Sequence, residues 1–121
     1  ARWDDVLNFI PARLAGALMC LAAPLVGQSG RNAWRIFRRD RFNHKSPNSA
    51  HTEAAAAGAL RVQLAGSSYY FGKLVEKPTI GDDLRPVEAE DIRRANRLMF
   101  ATAFLSLALV CIPYLILWLA I

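Results

Sequence analysis

Three groups of residues in this 121-residue chain have types and spacings that could do chemistry. Asp4 and Asp5 stand four and three residues before Asn8, a spacing that shares one face of a helix. Two carboxylates and an amide are hard oxygen donors that could hold Mg²⁺, and through it a phosphate. Arg13 follows inside an apolar stretch, where a guanidinium is costly unless it is paired or lines a cavity. In the second group, Asn48 and His51 can converge at the start of an alanine-rich helix. A helix N-terminus favours anions, and a His there can donate to a phosphate or act as acid or base. Glu53 points to a different face from His51, so the two do not read as a dyad. The third group is Tyr69-Tyr70-Phe71-Gly72-Lys73 followed by Glu76-Lys77-Pro78. Aromatics beside glycines suit stacking on a flat ligand. Each group also has a plain structural reading: acids facing water, a capped helix with a solvated His, and interface packing.

Several familiar sites are excluded. Gly66 to Lys73 fails as a phosphate-binding P-loop, because five residues separate the glycines and Leu74 stands where Ser or Thr would bind Mg²⁺. There is no GxSxG, no HExxH and no Cys/His metal set. Cys20 and Cys111 both fall in apolar segments and read as small packing residues.

The elements that must position these groups are read from periodicity and breakers. Residues 2–27 read as one helix with a polar first third, followed by a break at Gln28-Ser29-Gly30. Asn32 to Arg41 has Ala33, Ile36 and Phe37 at helical spacing with arginines opposite, which predicts a basic amphipathic helix lying on a membrane. Phe42 to Asn48 is a loop. Ser49 to Leu64 is expected as a helix capped by Asn48 or Ser49 and ended by Gly66. Its run Ala54 to Ala59, interrupted only by Gly58, makes a smooth surface that lets another helix come close. Ser67 to Ile80 predicts an irregular or hairpin-like loop. Pro86 is expected to open the last helix, with Glu90 pairing Arg94.

Hydrophobic content is 54%, and it is concentrated. Leu98 to Ile121 carries no charge over 24 residues, roughly 36 Å of helix against a hydrocarbon core of about 30 Å. Tyr114 and Trp118 suit the far interface. Leu14 to Gly27 is apolar but short, so the first segment is either a span with polar residues in it or a re-entrant element. Asp4 and Asp5 stand where the basic region of a secretory signal would be. Net charge is +5, and 13 of the 15 Lys and Arg lie between the two apolar segments. The positive-inside bias therefore places that connector in the cytoplasm. The arginine-rich stretch 31–45 could meet lipid headgroups or phosphate-bearing substrates, with nucleic acid the poorest fit. The fold class expected is all-α: a polytopic integral membrane helical bundle with an irregular, partly helical cytoplasmic connector. Its parts are 1–27, 28–97 and 98–121. The first residue is Ala, so the sequence reads as a processed or partial chain.

The motifs reach further. The run DDVLNFIPARL from Asp4 to Leu14 resembles the DDVLNYIPARL run of the CbiB/CobD family of cobalamin-biosynthesis membrane proteins. Arg38-Arg39-Asp40, then Ser46-Pro47-Asn48-Ser49-Ala50-His51 with Glu53-Ala54-Ala55, resembles its RRD…SPNAGHPEAA stretch. Tyr69 to Gly72 and Glu76 to Gly81 are similar to its NYYFG and EKPxIG elements. Ser49, Ala50 and Thr52 depart from the residues common there. The resemblance implies adenosylcobinamide-phosphate synthase activity in the cell membrane. That reaction is ATP-dependent amide formation between adenosylcobyric acid and (R)-1-amino-2-propanol phosphate or a related amino alcohol, with the corrinoid as substrate. It implies Mg²⁺–phosphate contacts at Asp4, Asp5 and Asn8. Arg13, Arg39, Asn48 and His51 would contact phosphate or acyl-phosphate oxygens, with Lys77 among the substrate-binding residues. Glu53 or Glu76 would accept the amine proton, and Tyr69 and Tyr70 would pack on the corrin. The implied partners are these substrates, membrane lipids and the N-terminal remainder of the same protein, with a homo-oligomer allowed. The rivals are a non-catalytic signalling or transport relative and a lipid-binding adaptor.

One tension follows. If residues 6–27 crossed the membrane simply, Asp4 and Asp5 would lie on the side opposite His51. A shared site requires either that 4–13 be embedded on the cytoplasmic side or that the connector dip into the bundle.

Overall fold

The computed structural model describes residues 2–42, 49–65, 68–75 and 78–121; at 2, 4, 5, 49, 65, 68–70 and 75 the description covers backbone alone. The first helical stretch is interrupted. Helix α1 spans Arg2–Leu7 and α2 spans Phe9–Ala22, with Asn8 at a turn between them. The reason is Pro11, which lacks the N–H that would bond the Leu7 carbonyl and whose ring crowds it. A single 3₁₀ turn, Ala23–Val26, carries Pro24 at its start and ends on Gly27 at φ 74°. The single helix expected over 2–27 is therefore three pieces.

Helix α3 spans Gly30–Asp40, with the Ser29 hydroxyl accepting the Asn32 N–H at 3.2 Å as N-cap. Its Ala33, Ile36 and Phe37 are buried, as their spacing predicts, but they pack on protein. Helix α4, Ser49–Leu60, supplies the opposing surface. A Cβ on Gly58 would lie 2.6 Å from both the Ala33 Cα and the Asn32 carbonyl oxygen. The Asn32 amide donates to the Gly58 carbonyl at 2.7 Å. The smooth alanine face thus takes α3 against itself, and the apolar stripe of α3 is not left for lipid.

Helix α4 stops at Leu60, four residues before the expected end. Arg61 takes φ 61°, its N–H bonds the Gly58 carbonyl, and the Val62 N–H bonds the Ala57 carbonyl. This is a Schellman ending with Arg where Gly is usual. The chain then makes two short antiparallel ladders: β1 (Leu64–Ala65) with β4 (Thr79–Ile80), and β2 (Ser68–Tyr70) with β3 (Lys73–Val75). Phe71 and Gly72, both at positive φ, form the tight turn of the second ladder. The β2–β3 ladder is the hairpin-like form expected of this stretch, and with the β1–β4 pair it makes the fold mostly helical rather than wholly α.

The last helix, α5, spans Asp91–Ala120, so Pro86 does not open it. The Asp91 carboxylate accepts the Glu88 N–H at 2.8 Å, as an acid in the first turn of a capping box does. Arg94 pairs with Asp91 at 2.9 Å and Glu88 at 3.7 Å, while Glu90 faces Arg93 at 3.9 Å. The expected Glu90–Arg94 pair is replaced by these. Arg85 ties this end to α4, donating to the Leu60 carbonyl at 2.8 and 3.1 Å and to Asp91.

Helices α2 and α5 run antiparallel. Gln28 donates to the Arg94 carbonyl at 2.8 Å, and further along Ala101 and Leu105 pack on the core that holds Met19 and Cys20. Helix α3 runs back along α2, with Gly30 against Pro24 and Phe37 against Gly16. The first third of α5 is thus held by the helical unit, with Leu98 fully buried. Beyond Phe104 nearly every large apolar residue of α5 is exposed, including Cys111, which is not a packing residue here. Two helical stretches among the described residues, Phe9–Val26 and Asp91–Ala120, are long and apolar enough to cross a membrane. The hydroxyls of Thr102 and Ser106 bond the Leu98 and Thr102 carbonyls at 2.7 Å. No unpaired hydroxyl is left there for an apolar surrounding.

Candidate functional site

The structure brings the second half of the DDVLNFIPARL run against the helix that carries His51. Gly16 permits it. A side chain there would collide with the Phe37 ring and lie 3.1 Å from the His51 carbonyl oxygen, so only glycine lets α2 lie this close to α3 and α4. One turn earlier, Arg13 stacks its guanidinium over the Phe9 ring at 3.5 Å and donates to the Phe9 carbonyl at 2.8 Å. It also faces the Phe42 ring at 5.9 Å. Phe42 meets the His51 ring edge-on at 5.5 Å, and the Arg41 guanidinium lies over the Phe42 ring at 4.5 Å. His51 is fully buried, with Phe37 on another side at 5.9 Å. Arg13, Phe42 and His51 therefore form one continuous cluster, with the half-exposed Phe42 at its centre. Cation–π contacts of this kind hold a guanidinium in place.

Arg39 has a different setting. It forks onto Asp40 through Nε and Nη2, both at 2.8 Å, and its Nη1 reaches Asp82 at 2.9 Å. Asp82 also takes Arg35 at 2.6 Å. The buried Asp40 carboxylate accepts the Gly81 N–H at 2.7 Å. These guanidinium partners hold the carboxyls of Asp40 and Asp82 below the usual range and raise Arg39. Gly81 is at φ 87°, and a Cβ there would lie 2.5 Å from the Val62 carbonyl oxygen. Arg39 therefore pins the Ile80-Gly81-Asp82 segment to the end of α3, just before the Phe42 cluster.

Glu53 lies apart from His51, as its position predicts. It edges a cavity of about 550 Å³ between α2, α4 and α5, lined by Ala15, Met19, Ala56, Leu98 and Thr102 among others. Asn8 is exposed at the turn between α1 and α2, and its side chain makes no cap bond. The helical face that was to group it with Asp4 and Asp5 is broken there. The side chains of Asp4, Asp5, Tyr69 and Tyr70, and residues Asn48, Glu76 and Lys77 altogether, lie outside the described residues, so the distance from Asp4 and Asp5 to 46–53 does too. Among the described residues no set of three His, Cys, Asp or Glu could hold a metal. No role was read from the sequence for Phe42, Asp40 or Asp82, although Asp40 stands in the Arg38-Arg39-Asp40 motif. The available signal was Arg39-Asp40-Arg41-Phe42 lying directly before the Ser46–His51 motif.

A sequence profile described as CobD/Cbib protein matches residues 1–99. The chain belongs to this family. It is 59% identical over 112 residues to a protein of Geobacter metallireducens named Cobalamin biosynthesis protein CobD, covering 93% of this chain and 35% of that protein. It is 47% identical to the CobD of Clostridium perfringens, with 93% and 36% covered. A Salmonella typhimurium protein named Cobalamin biosynthesis protein CbiB is 52% identical over 109 residues, with 90% and 34% covered. The chain thus spans about a third of the length of these relatives. No solved structure matches it.

Proposed function

We propose that this chain forms part of the site of a membrane-bound cobalamin-biosynthesis enzyme that joins a corrin carboxylic acid to an amino alcohol phosphate. The corrin carboxylate attacks the terminal phosphorus of ATP, giving an acyl phosphate and ADP. The amine then attacks the acyl carbon, phosphate leaves, and one proton is released. Both steps gather phosphate oxygens at one place, so they need fixed cations.

The observation that carries this reading is the Arg13–Phe42–His51 cluster, which joins two separate family motifs at one point. Arg13, stacked between aromatics, is the group to hold phosphate oxygens. His51 is buried, so we assign it as a positioning residue that fixes Phe42 and, through it, Arg13. Glu53, at the edge of an apolar cavity, is suited to accept the amine proton. Asp4 and Asp5 offer the hard carboxylate oxygens that Mg²⁺ takes, with Asn8 at the turn after them rather than on their helical face, and the ion would supply charge neutralisation to ATP. Asn48, Glu76, Lys77, Tyr69 and Tyr70 keep the substrate-facing roles their motifs imply. The apolar length of α5 supports a membrane setting, with 28–97 on the cytoplasmic side by its charge.

The test is the full-length protein in detergent with ATP, Mg²⁺, adenosylcobyric acid and the amino alcohol phosphate. The expected result is the corrin amide, with Arg13→Ala lowering kcat/KM by about 100-fold or more, as loss of a charge-assisted contact of about 2.7 kcal/mol would. Intact protein that makes no amide overturns the reading.

A further inference from the structure

The outward face of α3 carries Arg31, Trp34, Arg35 and Arg38 at spacings of three, four and seven, which is one stripe of a helix. Together with Arg39 they line a groove of about 470 Å³. Four features make this more than a solvated charged face. Arg35 and Arg39 are both held by Asp82, at 2.6 and 2.9 Å, so two guanidiniums are already oriented. Arg31 and Arg38 form no ion pair among the described residues, so the groove keeps excess positive charge. Trp34 stands half exposed amid the arginines, steadied by the Phe37 ring at 5.7 Å. Finally, the apolar stripe of α3 is already buried on α4, and α3 runs alongside α2, so it does not present an apolar face to lie flat on a bilayer.

We propose that this groove is a docking site for a soluble phosphate-bearing ligand, separate from the Arg13–Phe42–His51 cluster. Guanidinium forks match phosphate oxygens two at a time, and the Trp34 ring offers a flat surface for whatever carries the phosphate. The site goes beyond the amide-forming reading; it includes Arg39, which the family motif implies as a phosphate contact, but it stands on Arg31, Trp34, Arg35 and Arg38, to which that reading gives no role. An anionic lipid headgroup shares the same chemistry, and the burial of Ala33, Ile36 and Phe37 on protein leaves that stripe of α3 unable to anchor it in a bilayer.

The experiment uses full-length protein in nanodiscs of neutral phosphatidylcholine, titrated with inorganic tripolyphosphate and read by calorimetry. Saturable, salt-sensitive binding is expected, at least about tenfold weaker in Arg31→Gln/Arg38→Gln. The melting temperature should hold in that variant, since neither arginine is paired within the described structure. Arg13→Ala should leave the component of binding that Arg31→Gln/Arg38→Gln removes unchanged, whether or not it abolishes amide formation or a second component of binding. Three results overturn the proposal: no binding by the wild type, equal binding by the double variant, or binding abolished when one lipid in five is replaced by phosphatidylglycerol. The last outcome would assign the groove to lipid headgroups. Loss in Arg13→Ala of the same component that Arg31→Gln/Arg38→Gln removes would overturn its separateness.

Discussion

Removing the Asp40 carboxylate should loosen the segment that ends in the candidate site, and the size of the effect can be worked from its contacts. Asp40 is 4% exposed and accepts one backbone N–H and a two-point fork from Arg39. A hydrogen bond to a charged acceptor contributes about 1.5–3 kcal/mol, which covers the Gly81 contact. The Arg39 arm is nearly half exposed and is worth at most about 1 kcal/mol. Asp40→Ala should therefore cost at least about 1.5–4 kcal/mol. Asp40→Asn keeps an acceptor for Gly81 and should cost about half as much. Both are read as the midpoint of urea unfolding of the detergent-solubilised protein. The carboxyls of Asp40 and Asp82 lie below their ordinary value in the folded state. Their contribution is present above about pH 4 and is lost as pH falls through the folded value. The wild type should lose stability below about pH 4 more steeply than Asp40→Asn. A cost under about 0.5 kcal/mol for Asp40→Ala, or identical acid profiles, would refute the pinning argument.

Three further outcomes are expected. Gly81→Ala combines a left-handed backbone with a Cβ 2.5 Å from the Val62 carbonyl, and should cost about 2–4 kcal/mol by the same unfolding assay. Arg61→Gly relieves the positive φ at the end of α4 and should stabilise by up to about 1 kcal/mol, seen as a higher unfolding midpoint. Val110→Arg places a charge on the exposed apolar stretch of α5 and should weaken membrane insertion by about 2.5–3.5 kcal/mol in a translocon insertion assay.

What the sequence made legible was pattern at short range. The apolar triplet Ala33, Ile36 and Phe37 was placed on one buried face because helical period is local. The alanine run of α4 announced a close helix neighbour, although which helix filled it was a tertiary fact. The breaks were harder. Pro11 interrupts the chain one turn before itself, at Asn8, and that dissolved the helical face drawn through Asp4, Asp5 and Asn8. Arg61 ends α4 in a conformation usually given to glycine, so no residue type marked the stop. Asp40 and Asp82 looked like scattered acids among arginines, because the Asp40–Gly81 and Asp82–Arg35 contacts bridge residues 41 and 47 apart, which spacing does not encode. His51 was read as a reactive group at a helix start. Its burial between Phe37 and Phe42 is the reason a positioning role is proposed for it instead.

The central claim is that Arg13 and His51, from two motifs far apart in sequence, act on one reaction through Phe42. A double-mutant cycle on corrin amide formation tests it most directly, with Arg13→Ala, His51→Ala and both together in the full-length protein. The account predicts that each single variant lowers kcat/KM and that the double variant is little worse than the poorer single one, a coupling of at least about 1 kcal/mol. Losses that add within about 0.3 kcal/mol would show that the two residues work independently and would contradict it.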